Sequence, residues 1–478
     1  VAGLANARFA RVQPRLPSAR AVLYGLDMGK PVVLLSSWGL LAALAACSGG
    51  ASTKDTAIGL AQANVARAPA SSISAESLGA AVAANNAFAL DLYSRARADS
   101  PTSNLLTSPV SASLALTMTY AGAAGQTATE MASALHLGAA AGQAIFDGQN
   151  ALSQAIESRG AAALAAVQQL NQEANQPAPS ASDYDLHVVN SVWGEKTETW
   201  AAPFLTTLAT SYGAGVYLQD FIGQPEPARL AINGWVSTQT KDKINDLLPA
   251  GSIDPYTRMV LVNAIHLKLP WATPFDVSAT APGTFSRSDG TAVSPSFMHQ
   301  TLELSYVDDG QAQIAWLPLS NNQVSVVIAL PHAGVDLATY EASLTVGSAA
   351  IAAPQSGALV ALSLPKATFT SQTFSLKKAL QAMGMVQAFE RSADFSGMGP
   401  GGLSLSDVLQ KAMISMQETG VEAAAATAVL VTTVSAMQTP PTSVPMIVNR
   451  PYLTAIVDAT GAVLFLGHIV DPTDAGGP

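Results

Sequence analysis

The sequence has a single cysteine, Cys47, among 478 residues. A disulfide framework and a cysteine-ligated zinc site are therefore excluded, because each needs cysteines in company. Charged residues are scarce, at 12%, and no block of lysine or arginine occurs. Nucleic acid is excluded as a main partner, since binding phosphates takes clustered cations that release counterions. No His-Glu-x-x-His, no Gly-x-Ser-x-Gly elbow and no phosphate-binding loop is present. The six histidines (His136, His187, His266, His299, His332, His468) lie far apart along the chain and read as structural or surface residues. Gly397-Met-Gly-Pro-Gly-Gly402 holds a proline and follows no predicted strand, so it reads as a loop rather than a dinucleotide fingerprint. No cofactor and no metal is implied. Nothing here marks an enzyme.

Apolar residues make up 49% of the chain, enough to bury a large core, and the net charge is −10. The apolar stretch Pro31–Ala46 follows Met28-Gly29-Lys30 and is shorter than the ~20 residues of a membrane span. It suits the core of a signal peptide. It ends in Leu44-Ala45-Ala46-Cys47, which resembles a bacterial lipobox whose cysteine receives the lipid. Residues 1–27 read as an over-long start ahead of Met28. Loss of residues 1–47 removes Arg8, Arg11, Arg15, Arg20, Lys30 and Asp27, leaving a more acidic body. Residues 48–72, rich in Ala, Ser, Gly and Thr, read as a flexible tether. The expected location is the cell envelope or the exterior, with membrane contact through the lipid alone.

From Leu78 onward, helical spacing dominates: Leu78 to Leu92, Val110–Tyr120, Thr127–Leu135, and a long run Ala139–Glu173 with a break expected at Gly160. Strand composition takes over later, at His187–Trp193, Met259–Leu269, Ile314–Leu319, Gln323–Leu330, Val360–Leu364 and Ala412–Gln417. Tyr452–Val457 and Ala462–Val470 form a final hairpin turning at Thr460-Gly461. Early helices and late strands, without βαβ alternation, predict an α+β fold in one domain over 73–478.

The stretch after Gln417 is unusual. Read with period two, one face of it is Val421, Ala423, Ala425, Thr427, Val429 and Val431; the other is Glu422, Ala424, Ala426, Ala428, Leu430 and Thr432. Such a segment can lie as a strand with one face buried, and its small side chains also let it live outside a sheet. Pro440, Pro441 and Pro445 then favour an extended, exposed chain that a protease could cut.

Glu418-x-Gly420-x-Glu422-Ala423-Ala424-Ala425-Ala426-Thr427 resembles the hinge of the serpins, the serine-protease inhibitor family. The resemblance spans the body in order. It takes in Asn104-Leu-Leu-Thr-Ser108-Pro109-Val-Ser111, Asn190-Ser-Val-Trp193, Ile232-Asn233-Gly-Trp235-Val236 and Lys243-Ile244. Val262-Asn263-Ala-Ile-His-Leu-Lys268-Leu-Pro-Trp271, Pro274-Phe275, Leu364-Pro365-Lys366, Met383-Gly384-Met385 and Ala393-Asp394-Phe395-Ser396-Gly397 come next. Asn449-Arg450-Pro451-Tyr452 and Leu464-Phe465-Leu466-Gly467 close it.

The resemblance implies three β-sheets, about eight or nine helices and an exposed reactive loop over 418–447. It implies a suicide-substrate mechanism in which the cut loop enters the main sheet and traps the acyl-enzyme. Ser108, Ser111 and Asn263 would form the shutter under the opening sheet, and Trp271 the breach at its top. Gly420 would let the hinge bend, and Val421 would be the first residue to enter. Counting from Glu418, the reactive bond is Val434-Ser435, with Ala436 and Met437 as rivals because the loop is long. Valine suits an elastase-like protease; methionine suits a chymotrypsin- or subtilisin-like one. Gln410 stands where many relatives have a shutter histidine, and Asp242 replaces a usual glycine. No basic cluster offers a heparin site, and the expected state is a monomer. The alternative reading is a non-inhibitory serpin that serves as a binding or scaffold protein.

Overall fold

The computed structural model describes residues 58–139, 142–352, 356–400, 402–421 and 442–476. Ser74 opens the first long helix, α1 (Ala75–Asp99). Its Oγ accepts from the Ser77 N–H at 3.1 Å, satisfying a donor that a helix start leaves orphaned. Ala81, Ala84, Phe88 and Leu92 then share one buried stripe. α2 (Pro109–Tyr120) begins on a proline, where no N–H is needed, and is buried from Pro109 to Thr119. A helix without a polar face belongs inside, and α2 packs against strands of both large sheets. α3 (Gly125–Ala134), α4 (Gln143–Glu173), α5 (Ala202–Tyr212), α6 (Pro225–Gln239), α7 (Leu337–Ala342) and α8 (Lys377–Ala382) complete eight α-helices among the described residues.

The earlier strands are β1 (Gly59–Ala61), β2 (Leu105–Thr107), β3 (Asp185–Glu195), β4 (Val216–Gln219), β5 (Met259–Pro270), β6 (Ser296–Asp308), β7 (Ala312–Pro318) and β8 (Val324–Pro331). The later ones are β9 (Gly357–Pro365), β10 (Ala367–Thr370), β11 (Val408–Lys411) and β12 (Met413–Gln417). β13 (Gly420–Val421), β14 (Val444–Ile447), β15 (Tyr452–Asp458) and β16 (Val463–Ile469) end the series. One sheet runs β1–β4–β3–β5–β13–β12–β10, with β11 also on β5. A second runs β14–β9–β6–β7–β8–β15–β16–β2, and a short hairpin is the third. The fold is α+β, with helices and strands distributed as the residue pattern predicts.

β5 sits at the centre. Val262 and Ala264 pack under α6 with Ile232 and Val236. Ile265, Leu267 and Leu269 face Val326 and Ile328 of the second sheet. A strand covered on both faces reads as an almost unbroken apolar run, and β5 does.

Two expectations change. α4 runs unbroken through Gly160, because the helix crosses the start of β3 there. A Cβ at 160 would lie 2.9 Å from the Tyr184 carbonyl oxygen. Residues 58–72, read as the end of a tether, instead hold strand β1 and a turn of 3-10 helix at Ala70–Ser72. Their hydrogen bonds to α4 override a composition that promised flexibility.

Candidate functional site

The lower half of the β5–β11 seam is closed. Residues 261–264 pair in parallel with Val408–Lys411, which sets Gln410 opposite Asn263. The Gln410 amide donates to Asn263 Oδ1 at 2.7 Å and to the Ser108 carbonyl at 2.8 Å, and accepts from the Ser108 N–H at 3.0 Å. Ser108 Oγ donates to the Leu464 carbonyl of β16 at 3.0 Å. Ser111 Oγ donates to Asn190 Oδ1 at 2.9 Å, and Asn263 Nδ2 donates to the same oxygen at 3.3 Å. Ser108, Ser111, Asn263 and Gln410 are fully buried. The three residues expected beneath the sheet are thus brought together, joined by Gln410 and Asn190. In so dry a place each bond is costly to leave unmade.

The upper end is built around Trp271. Its backbone N–H donates to the Thr419 carbonyl at 3.0 Å, and its indole N–H to the Gln417 carbonyl at 2.7 Å. The Phe275 N–H donates to the Glu418 carbonyl at 2.8 Å, and the Phe275 ring meets Trp271 edge-on at 5.9 Å. The Glu418 carboxylate pairs with Lys366 at 2.8 Å and accepts from Thr280 Oγ1 at 3.0 Å. Burial alone would raise this carboxyl; the bonds from Lys366 and Thr280 outweigh it and hold it below its ordinary value.

Between these levels the hinge begins. β13 turns back antiparallel on β12, Val421 opposite Met416, and pairs on its other edge with β5, Val421 opposite Leu269. Val421 is 1% exposed and packs into the core shared with the second sheet. Gly420 is required by close approach: a Cβ would lie 2.4 Å from the Leu269 carbonyl oxygen. The sequence places Val421 as the first residue to enter; the structure has it already seated. Below it, among the described residues, no pairing joins residues 265–268 of β5 to β12. The seam is therefore wedged at the top and closed below.

Glu422, Ala423, Ala424, Ala425, Ala426 and Thr427, the bond candidates Val434, Ser435, Ala436 and Met437, and Cys47 lie outside the described residues. Sequence reasoning missed Thr280 and did not pair Lys366 with Glu418. An isolated lysine after a strand-ending Leu-Pro is the only local sign of that bond. Among the described residues, no group of three or more His, Cys, Asp or Glu could hold a metal ion.

Residues 83–472 match the family model Serpin (serine protease inhibitor). The chain is 33% identical to human Serpin B4, over 81% of its own length and 98% of the relative's. It is 32% identical to the bovine leukocyte elastase inhibitor, over 82% and 99%. Among solved structures it resembles the native state of a thermophilic serpin, tengpin, with a TM-score of 0.70, 27% identity, and coverage of 86% of this chain and 97% of that one. The human thyroxine-binding globulin complex gives 0.68, 29%, 83% and 100%.

Proposed function

Starting from a chain that belongs to the serpin family, we propose that it is a suicide-substrate inhibitor of serine endopeptidases. The observation that carries this reading is the seated hinge, with Val421 paired on both edges above a closed seam. Its register sets the path for the rest of the loop. Continued antiparallel to β5, Ala423 would face Leu267, Ala425 would face Ile265, and Thr427 would arrive opposite Asn263. Val421 points into the core, so Ala423, Ala425, Thr427 and Val429 would point in after it. These are small or apolar groups. Glu422 would point out.

A target protease attacks the Val434 carbonyl with its serine Oγ. An ester forms, the Val434–Ser435 peptide bond breaks, and Ser435 leaves as a free amine. The acylated segment is then free to extend β13 down the seam, which requires Gln410 and Asn263 to part. The tethered protease is carried along and distorted before water can cleave the ester. Inhibitory relatives such as the leukocyte elastase inhibitor support this reading, and a valine at the cut supports an elastase-like target. The lipobox ending at Cys47 supports a lipid-anchored protein of the cell envelope.

The test is incubation with elastase, chymotrypsin, subtilisin and trypsin, then denaturing gels and mass mapping. A covalent complex that survives boiling in detergent is expected. Cleavage within residues 432–437 without any complex would favour the binding or scaffold alternative.

A further inference from the structure

Residues 58–73 do more than precede the fold. β1 pairs antiparallel with β4, Gly59 opposite Leu218 and Ala61 opposite Val216, so it caps the edge of the first sheet. The edge is shaped for this: a Cβ at Gly215 would lie 2.5 Å from the Ala61 carbonyl oxygen. The chain then crosses α5, where the Ala68 N–H donates to the Thr210 carbonyl at 2.8 Å. It ends on α4. Arg67 spreads its guanidinium over one face of that helix, donating to Asn150 at 2.8 Å, pairing with Glu157 at 3.0 Å and also reaching Ser153. Asn150 and Gln154 each donate to the Ala68 carbonyl at 2.9 Å, and Gln154 accepts from the Ala70 N–H at 3.1 Å.

These bonds join two bodies that a new strand would have to separate. β4 pairs with β3, and β3 with β5, so the three move together when a strand enters beside β5. α4 packs along α1, which packs on β16 of the second sheet; α4 also crosses the start of β3, a contact across which the moving strands would have to slide. The segment therefore ties the moving edge to the stationary core through α4. Arg67 is the right clamp for this: its planar fork reaches three acceptors at once, which a lysine cannot do.

We infer that residues 58–73 are a brace that holds the β1–β4–β3–β5 half of the sheet in its closed position and slows strand entry. The inference rests on the loop-insertion reading above. It is tested in the full chain with Arg67→Ala, Arg67→Lys and Gly215→Val. After the loop is nicked by a protease, the gain in heat resistance is recorded against time. Arg67→Ala should insert about tenfold faster than the parent, with Arg67→Lys between them. Hydrogen exchange at the Val216–Gln219 amides should rise in Arg67→Ala and Gly215→Val. The brace is wrong if Arg67→Ala inserts at the parental rate, or if β4 exchange does not change. If Gly215→Val fails to fold, the two Arg67 variants still decide. Covalent-complex formation by the parent is scored separately: its absence sinks the inhibitory reading, whereas equal insertion rates in parent and variants sink only the brace.

Discussion

Gln410 donates to the side chain of Asn263 at 2.7 Å, across the seam between β11 and β5. The two are opposite each other in the β5–β11 register, and both are fully buried. An amide at 410 offers a donor and an acceptor together, and so closes on Ser108 as well. It also does not titrate, so this latch carries no charge at any pH.

Gln410→Ala should therefore loosen the seam. It leaves the Asn263 Oδ1 and the Ser108 N–H without the bond from residue 410, and the Ser108 carbonyl with the Ala112 N–H alone, all in a fully buried place. The expected loss is about 2–4 kcal/mol in denaturant unfolding. The uncut protein should also lose trapping activity faster on storage, as the loop enters without cleavage. An unchanged midpoint would show that the latch contributes little.

The Glu418–Lys366 pair gives a pH dependence of known sign. The Glu418 carboxyl is held below its ordinary value in the folded protein. Its contribution is thus fully present above the unfolded carboxyl value of ~4.3, and is lost as pH falls through the lower native value. Glu418→Gln should be less stable than the parent at neutral pH and equal to it well below pH ~4. Lys366→Met should cost more than Glu418→Gln, because it leaves the buried carboxylate without its cation. Melting curves across pH for the parent and both variants check the order. A gap that widens in acid would contradict the pairing.

The elements were legible wherever the signal is local. β5 reads as a long apolar run because both its faces are covered, and α1 reads as a stripe because only one face is. Val421, the first residue of the period-two split, does face the core, and the rest of that split lies outside the described residues. What was hidden is non-local. Arg67 is one cation in a bland stretch, and only the fold brings Asn150, Ser153 and Glu157 beneath it. Gly160 looks like a helix break, since no sequence window reveals that β3 passes against it. The seating of Val421 depends on the opposing edges of β5 and β12, which come from separate parts of the chain.

Asp242 has φ +62°, the left-handed region where a glycine is at ease, and Lys241 before it has φ +52°. Its carboxylate accepts from Ser237 Oγ at 2.7 Å, which offsets part of the strain. Asp242→Gly should relieve the remainder. A stabilisation of a few tenths to about 1 kcal/mol is expected, small because one hydrogen bond is given up. Asp242→Val should destabilise, since a β-branched side chain tolerates that region worst. If glycine lowers the melting midpoint, the Ser237 bond outweighs the backbone strain.

Trapping and target choice should be separable by mutation. Val421 lies between Met416 and Leu269 and is 1% exposed. An arginine cannot occupy that place without burying an unpaired charge, at a cost of several kcal/mol. Val421→Arg should therefore displace β13 before any protease arrives, removing the Val421–Leu269 register that later strand entry would extend. Each 1.4 kcal/mol that reaches the transition state of insertion slows it about tenfold, so deacylation should win and the protease should leave active. The variant becomes a substrate. On the proposed assignment, Val434→Arg would change what the protease pocket receives and leave the sheet-entering half of the loop as it is. It should lose elastase-like targets, gain trypsin-like ones and still form covalent complexes. Titrating both variants against elastase and trypsin, with gels to distinguish complex from cleaved product, resolves the two roles. Parental stoichiometry of elastase trapping by Val421→Arg would overturn the hinge assignment. An unaltered target profile for Val434→Arg would move the reactive bond, with Met437 the next residue to change.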